Sequence, residues 1–166
     1  MPLRATIKAS PETLSDMLLA AEDRYQEAEE LLRTQRYDGC VYLLGYAAEM
    51  WLKAACLRLR GHRPPTQVKG ALSPLRIWMK NVAPTVPFVD NHDLSFFTEC
   101  VFHLRLHQDR PLPPALAVEL RGHISAGLHD EWIVDMRYRR LALTAADAWS
   151  ALFNAWWMRT NWTKLV

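Results

Sequence analysis

The sequence predicts an all-α fold, an up-and-down bundle of four to five main helices with short additional helices. Apolar residues recur at helical spacing in successive segments, and prolines and capping residues separate those segments. No segment alternates apolar and polar residues in the way that a half-buried strand would. At 166 residues, the chain is expected to form one domain, residues 1–166, with enough apolar residues to bury a core.

The segment from Tyr37 to Gly61 predicts the central helix. Asp38 is expected to cap its start, and Gly61 is expected to follow its end. Apolar residues cover nearly the whole circumference, which indicates a helix packed on all sides. Glu49 and Lys53 interrupt this pattern at i,i+4 spacing, which supports a helix. A carboxylate inside such a helix nevertheless needs a partner.

The helices on either side of this segment are predicted from their starts. Ser10-Pro11 opens a first helix, and the short link Thr34–Arg36 implies that this helix packs antiparallel to the central one. Ser73-Pro74 opens a shorter helix, and Asn91 is expected to cap a helix from about Asp93 to His107.

The C-terminal third predicts two more helices. A weaker one is expected over Pro114–Leu128, and Thr144 with Asp147 predicts a capping box for the last helix. The inward stripe of that last helix is predicted to comprise Ala148, Trp149, Leu152, Phe153 and Trp156.

Composition narrows the functional classes. The net charge of +2 does not by itself demand nucleic acid or membrane as a partner. Three cysteines in apolar segments favour buried free thiols in a reducing compartment, and no signal peptide or long apolar run is present, so a cytoplasmic protein without membrane contact is expected. The seven tryptophans exceed what one core stripe requires, which favours a homodimer.

Three motifs occur in an order that is typical of a known family. YDGCVYLLGYAAEMWLKA covers residues 37–54, Asn91-His92-Asp93-Leu94 opens a later helix, and Trp132-Ile-Val-Asp-Met-Arg-Tyr138 precedes the last one. Together with the Glu-rich first helix, they resemble the HEPN superfamily over about residues 12–160.

The resemblance implies a bundle of four or five helices that usually dimerises around a polar cleft. Members include metal-independent RNases of toxin–antitoxin and phage-defence systems, RNA- or nucleotide-binding modules, and non-catalytic partners of nucleotidyltransferases. The RNase members carry an Arg followed, after four to six residues, by a His. The imidazole can move a proton at the ribose or the leaving oxygen while the Arg holds the phosphate.

This sequence departs from the RNase pattern. Arg58 and His62 are one residue too close, Arg121 and His129 are one residue too far apart, and no histidine follows Arg137. The resemblance therefore implies a non-catalytic or divergent member. By the same resemblance, Glu49 is the carboxylate of the central helix and Arg137 is its candidate partner. Because an internal carboxylate needs a cation or hydrogen-bond donors, Arg121 is the second choice. A purely structural Glu49–Arg137 ion pair is the alternative.

The leading hypothesis is an RNA- or nucleotide-binding module without a cofactor, in a toxin–antitoxin or phage-defence setting. An antitoxin or a nucleotidyltransferase is its expected protein partner. The basic run near the third motif offers charge and stacking for a single strand. The candidate ligand-binding residues are Glu49, Arg137, Tyr138, Arg139 and Arg140.

Two other hypotheses stay open. In the first, the protein is a divergent metal-independent ribonuclease that uses a histidine outside the family spacing, with His129, His107 and His92 as candidates. In the second, it is a metal-binding bundle, because Cys100, His103 and His107 share one helix face at i, i+3, i+7 spacing.

Overall fold

The computed structural model describes residues 12–138 and 142–166. Its helices are α1 (Leu14–Arg33), α2 (Tyr37–Leu59), α3 (Leu72–Val82), α4 (Leu94–His107), α5 (Pro114–Leu120), α6 (His129–Glu131) and α7 (Ala145–Asn161). A π-helical segment, Arg121–Leu128, continues α5, and short 3-10 segments lie at Val134–Tyr138 and Trp162–Leu165. The described residues contain no strand, only an antiparallel bridge between Thr13 and Gln67. The predicted all-α class is confirmed.

Helix α1 is held at its start by a capping box. The Thr13 hydroxyl accepts the backbone N–H of Asp16, and the Asp16 carboxylate accepts the backbone N–H of Thr13 at 3.0 Å. These two bonds satisfy donors that an uncapped helix would leave open. The predicted start at Ser10-Pro11 lies outside the described residues.

Helix α2 lies at the centre, with α1, α4 and α7 packed around it. It ends as predicted: Gly61, two residues after Leu59, has a φ of +83°, which glycine adopts at no steric cost. At its start, Arg36 occupies the N-cap position, and Asp38 lies in the first turn, so the predicted Asp38 cap is wrong. The helix is long and apolar enough to cross a membrane, but 72% of the relevant window is buried inside the protein, as in a core helix.

The starts of α3 and α4 also differ from prediction. Helix α3 begins at Leu72, before Ser73. Asp93 rather than Asn91 caps α4, because its carboxylate accepts the backbone N–H of Phe96 at 2.9 Å. The Asn91 side chain instead accepts a hydrogen bond from the guanidinium of Arg76 at 3.0 Å.

Helix α7 has the predicted capping box of Thr144 and Asp147. Of its predicted inward stripe, Ala148 is buried and Leu152 is partly buried, but the three aromatic members are wrong. Trp149, Phe153 and Trp156 are 60%, 57% and 46% exposed. The side chains that face the core are Ala148, Ala151, Asn154, Ala155, Trp157 and Met158. Small residues let a helix approach its neighbours closely, so the side of α7 that carries the alanines packs inward and leaves the rings of Trp149, Phe153 and Trp156 outside.

Candidate functional site

Five ionisable side chains from three parts of the chain meet beside the centre of α2. We call them the polar cluster: Glu49, Lys53, His92, Asp93 and His129. Glu49 and Lys53 come from α2, His92 and Asp93 from the loop that enters α4, and His129 from the start of α6.

The buried ion pair of Glu49 and Lys53 anchors the polar cluster. The two residues are only 3% and 8% exposed, and the Lys53 ammonium donates to the Glu49 carboxylate. The ammonium also lies 5.1 Å from the ring centroid of Phe97, where the ring face attracts a cation. Removing two charges from water is costly, and this arrangement offsets the cost with a close pair and an aromatic face.

His92 binds the second oxygen of the same carboxylate. Its Nδ1 lies 2.9 Å from Glu49 Oε2, across 43 residues of sequence. Because a carboxylate can only accept, Nδ1 carries the proton of this bond, and the tautomer is defined. The hydrogen bond to Glu49 raises the pKa of His92 above its usual value, although burial works in the opposite direction. The imidazole remains 34% exposed.

Two aromatic rings form the wall behind His92. The rings of Tyr46 and Trp132 lie 5.9 Å and 6.4 Å from the imidazole, and both meet it edge to face. Trp132 is 2% exposed, and its indole N–H donates to the backbone oxygen of Tyr42 at 3.0 Å. Gly45 makes room for this indole, since a Cβ there would lie 2.1 Å from Trp132 Cγ.

Asp93 extends the polar cluster toward His129. Its carboxylate caps α4 and also accepts the backbone N–H of Val89 at 3.3 Å. His129 Nδ1 lies 3.9 Å from Asp93 Oδ1, which is within range of electrostatic attraction but too long for a hydrogen bond. The His129 side chain is 35% exposed. Two imidazoles open to solvent are therefore each placed against a buried carboxylate.

The polar cluster unites three residues that the sequence singled out for different reasons. Glu49 was predicted as the central carboxylate, and His92 and His129 were candidate acid–base residues. The second-choice partner of Glu49, Arg121, is wrong, because its guanidinium bonds to Glu99 at 3.2 Å. Arg139 and Arg140 and the side chains of Arg137 and Tyr138 lie outside the described residues, so the proposed Glu49–Arg137 contact stays a prediction.

The part of the chain that the structure describes gives no support to the metal-binding alternative at Cys100, His103 and His107. No group of three His, Cys, Asp or Glu side chains there is arranged to hold a metal ion. Cys100 is fully buried, and burial, reinforced by the neighbouring Cys56, raises the pKa of its thiol and opposes the thiolate that a metal needs. His107 contacts Trp78 instead, with ring centroids 5.6 Å apart.

His107 also lies far from the other two catalytic candidates. It ends α4, whereas Asp93 precedes its first residue, and a helix of 14 residues is about 20 Å long. His107 therefore does not share a site with His92 and His129.

Sequence reasoning did not assign Lys53, Asp93, Tyr46 and Trp132 to the site. A signal existed for each of them, because all four lie within the three motifs that carry the family resemblance. What the motifs do not contain is their mutual contact, which the packing of α2 against the α4 entry loop creates.

Comparison with known protein families agrees with the resemblance. Residues 14–73 match the model of the HEPN domain. This match supports membership of the HEPN superfamily. It covers α1, α2 and the loop into α3, and thus includes Glu49 and Lys53 but not the histidines of the polar cluster. The matched part of the chain is thus similar to HEPN domains, a class that is generally RNA-related. No curated protein and no solved structure matches the chain.

Proposed function

We propose that this chain is an RNA-binding HEPN module that does not cleave its RNA. The observation that carries the proposal is the state of Glu49. Both of its carboxylate oxygens are engaged, one by Lys53 and the other by His92. In the catalytic members that the chain resembles, a central carboxylate often orients an arginine of the Arg–His motif, and here that motif is absent.

The RNA contact is assigned to the basic run that follows Trp132. In the sequence, Tyr138 lies between Arg137 and the pair Arg139-Arg140. Such a run supplies phosphate-binding charges beside a ring on which a base can stack. A free nucleotide is the smaller ligand that the same chemistry would accept.

The setting of the proposed function is a toxin–antitoxin or phage-defence system in the cytoplasm. There the module would act as a homodimer or as the partner of an antitoxin or a nucleotidyltransferase. This setting is supported by the HEPN match over residues 14–73. HEPN domains are generally RNA-related, and the family that the chain resembles includes members of such systems.

Binding to labelled single-stranded and hairpin RNA, in chelator and at several salt concentrations, tests the proposal. Wild-type affinity should fall steeply with salt, and the triple reversal R137E/R139E/R140E should weaken binding roughly tenfold or more. The matched control R24E/R33E/K164E reverses three charges elsewhere and should retain most of the affinity. Absence of binding to either RNA at low salt would refute the proposal.

A metal-independent ribonuclease is the second candidate function. It is favoured by one observation: His92 and His129 are each about one-third exposed and each face a carboxylate. Such imidazoles can give and take protons, and general acid–base help is worth about 10²–10⁴-fold.

The two candidates are separated by incubating the protein with RNA in chelator. We expect no cleavage above background. Cleavage that is lost in His92→Ala or His129→Ala would establish the ribonuclease instead, with His107→Ala as the control that removes an imidazole far from the polar cluster.

A further inference from the structure

A solvent-open groove lies between α3 and the loop that joins α3 to α4. Its cavity volume is about 520 Å³, which is within the usual size range of small-ligand sites. Six apolar residues line it: Ile77, Pro84, Val86, Pro87, Phe88 and Phe96. Ile77 is 66% exposed and Phe88 is 40% exposed, so the apolar wall is uncovered in the described structure.

The aromatic floor of the groove has a defined orientation. The rings of Phe88 and Phe96 meet edge to face with centroids 4.9 Å apart, and Phe96 belongs to the core. The Phe88 ring is thus packed against the core through Phe96, while part of its surface remains exposed to solvent. A planar ring system of a ligand could stack on this exposed surface.

Two cations stand at the groove. The Arg76 guanidinium lies 5.2 Å from the Phe88 centroid and donates to Asn91 at 3.0 Å and Ser73 at 3.3 Å, both neutral acceptors. Lys80 is exposed and forms no ion pair with any described residue. Within the described ranges, no carboxylate lines this groove, so both positive charges remain uncompensated there.

The groove continues toward the polar cluster. A neighbouring cavity of about 250 Å³ shares the wall formed by Val86, Pro87 and Phe96. That cavity is also lined by Asp93 and His129. One apolar wall therefore connects a cationic end, at Arg76 and Lys80, with the end at which the imidazole of His129 is exposed.

We propose that this groove binds a nucleotide, with its base against Phe88 and its phosphate at Arg76 and Lys80. A guanidinium already stacked on a ring presents fixed donors that suit phosphate oxygens. The exposed part of the Phe88 ring suits a base, which is planar and stacks on aromatic side chains. The inference rests on the proposed function and names a second RNA contact, separate from the basic run at residues 137–140.

Calorimetric titration with adenosine monophosphate, and anisotropy with a short single-stranded RNA, test the groove directly. Lys80→Glu should weaken binding of both ligands about tenfold, because it replaces attraction to phosphate by repulsion. Phe88→Ala should weaken both at least about fivefold through lost stacking. Lys164→Glu is the matched control and should change neither, and circular dichroism should confirm that all variants are folded.

The outcomes distinguish the groove from the wider proposal. RNA binding that survives both Lys80→Glu and Phe88→Ala unchanged would overturn the groove and leave the proposed function standing. Mononucleotide binding that depends on Lys80, without any RNA binding, would support the groove and refute the RNA proposal. Binding of neither ligand by wild type refutes both. Binding of octanoate but not of the mononucleotide would identify a fatty-acid site and overturn the inference.

Discussion

The central helix α2 and the last helix α7 differ in which side chains they bury. Helix α2 buries two charged residues, Glu49 and Lys53, whereas α7 leaves Trp149, Phe153 and Trp156 exposed. The difference follows from the neighbours. Helix α2 is surrounded, so its charges must pair inside, while α7 packs through a face of alanines that contacts α2 and the π-helical segment. Residue polarity alone therefore does not tell which side of a helix is buried.

The largest effect in this comparison should come from Glu49→Ala. The substitution leaves the Lys53 ammonium buried without its anion and removes the acceptor of His92. Breaking one side of a buried pair costs about 3–5 kcal/mol in the free energy of unfolding. Urea denaturation followed by circular dichroism measures this loss.

The matched control for that experiment is Glu27→Ala. Glu27 pairs with Arg24 on the surface of α1, and both side chains are about half exposed, so its loss should cost less than about 1 kcal/mol. Equal losses for the two variants would show that the ion pair in α2 is no more important than a surface pair.

The next largest effect is expected for Gly45→Ala. The new Cβ would meet the buried Trp132 indole at 2.1 Å, a distance that forces the ring or the helix to move. Overpacking of this kind costs about 1–3 kcal/mol. Because Trp132 also forms the wall behind His92, its shift should change the chemical shifts of that imidazole in an NMR spectrum.

Gly122→Ala provides the contrasting glycine. A Cβ at this position would enter space that no described neighbour occupies within 4 Å, and the φ of Gly122 is not in the left-handed region. Thermal unfolding should therefore show Gly122→Ala as neutral or slightly stabilising. A stable Gly45→Ala variant would mean that Trp132 is not tightly held.

Local signals explain which features the sequence could predict. The Thr144–Asp147 capping box and the glycine after α2 depend on a few neighbouring residues, and both predictions are confirmed. The predicted caps at Asp38 and Asn91 are wrong, because an Asx residue near a helix start suits several positions and tertiary contacts decide among them.

Long-range contacts explain the rest. Glu49 could be chosen from its place in an apolar helix, but its bond to His92 joins residues 43 positions apart. Nothing in the local pattern of either segment encodes that pairing. The stripe of α7 fails for a related reason, since apolar residues occupy two of its faces and only the packed structure shows which face lies inward.

A smaller effect should appear in the pH dependence of stability through His92. The hydrogen bond to Glu49 raises the pKa of His92 in the folded protein above that in the unfolded chain, near 6.5. The extra stability is therefore fully present below about pH 6.5 and is lost as the pH rises through the folded value.

Comparison of wild type with His92→Gln isolates this contribution, since other groups titrate in both proteins. The difference in unfolding free energy should be greatest near pH 6 and should shrink toward pH 8.5. A difference that grows with pH would contradict the assigned bond. Because the imidazole is about one-third exposed, solvent screening should keep the change below about 1 kcal/mol.

The smallest effect on folding, but a clear effect on assembly, is expected from the double variant W149S/F153S. Exposed aromatic clusters are typical of protein interfaces, so we expect a dimer that uses this face of α7. Light scattering at micromolar concentration should give a dimer mass for wild type and for the control Leu19→Ser, which removes an exposed leucine from α1. The double variant should be a monomer that remains folded by circular dichroism, since neither side chain belongs to the core. A monomeric wild type would contradict the predicted dimer. A double variant that is still a dimer would show that the interface does not use this face of α7, and the region around Glu49 and Arg137 is then the other predicted site.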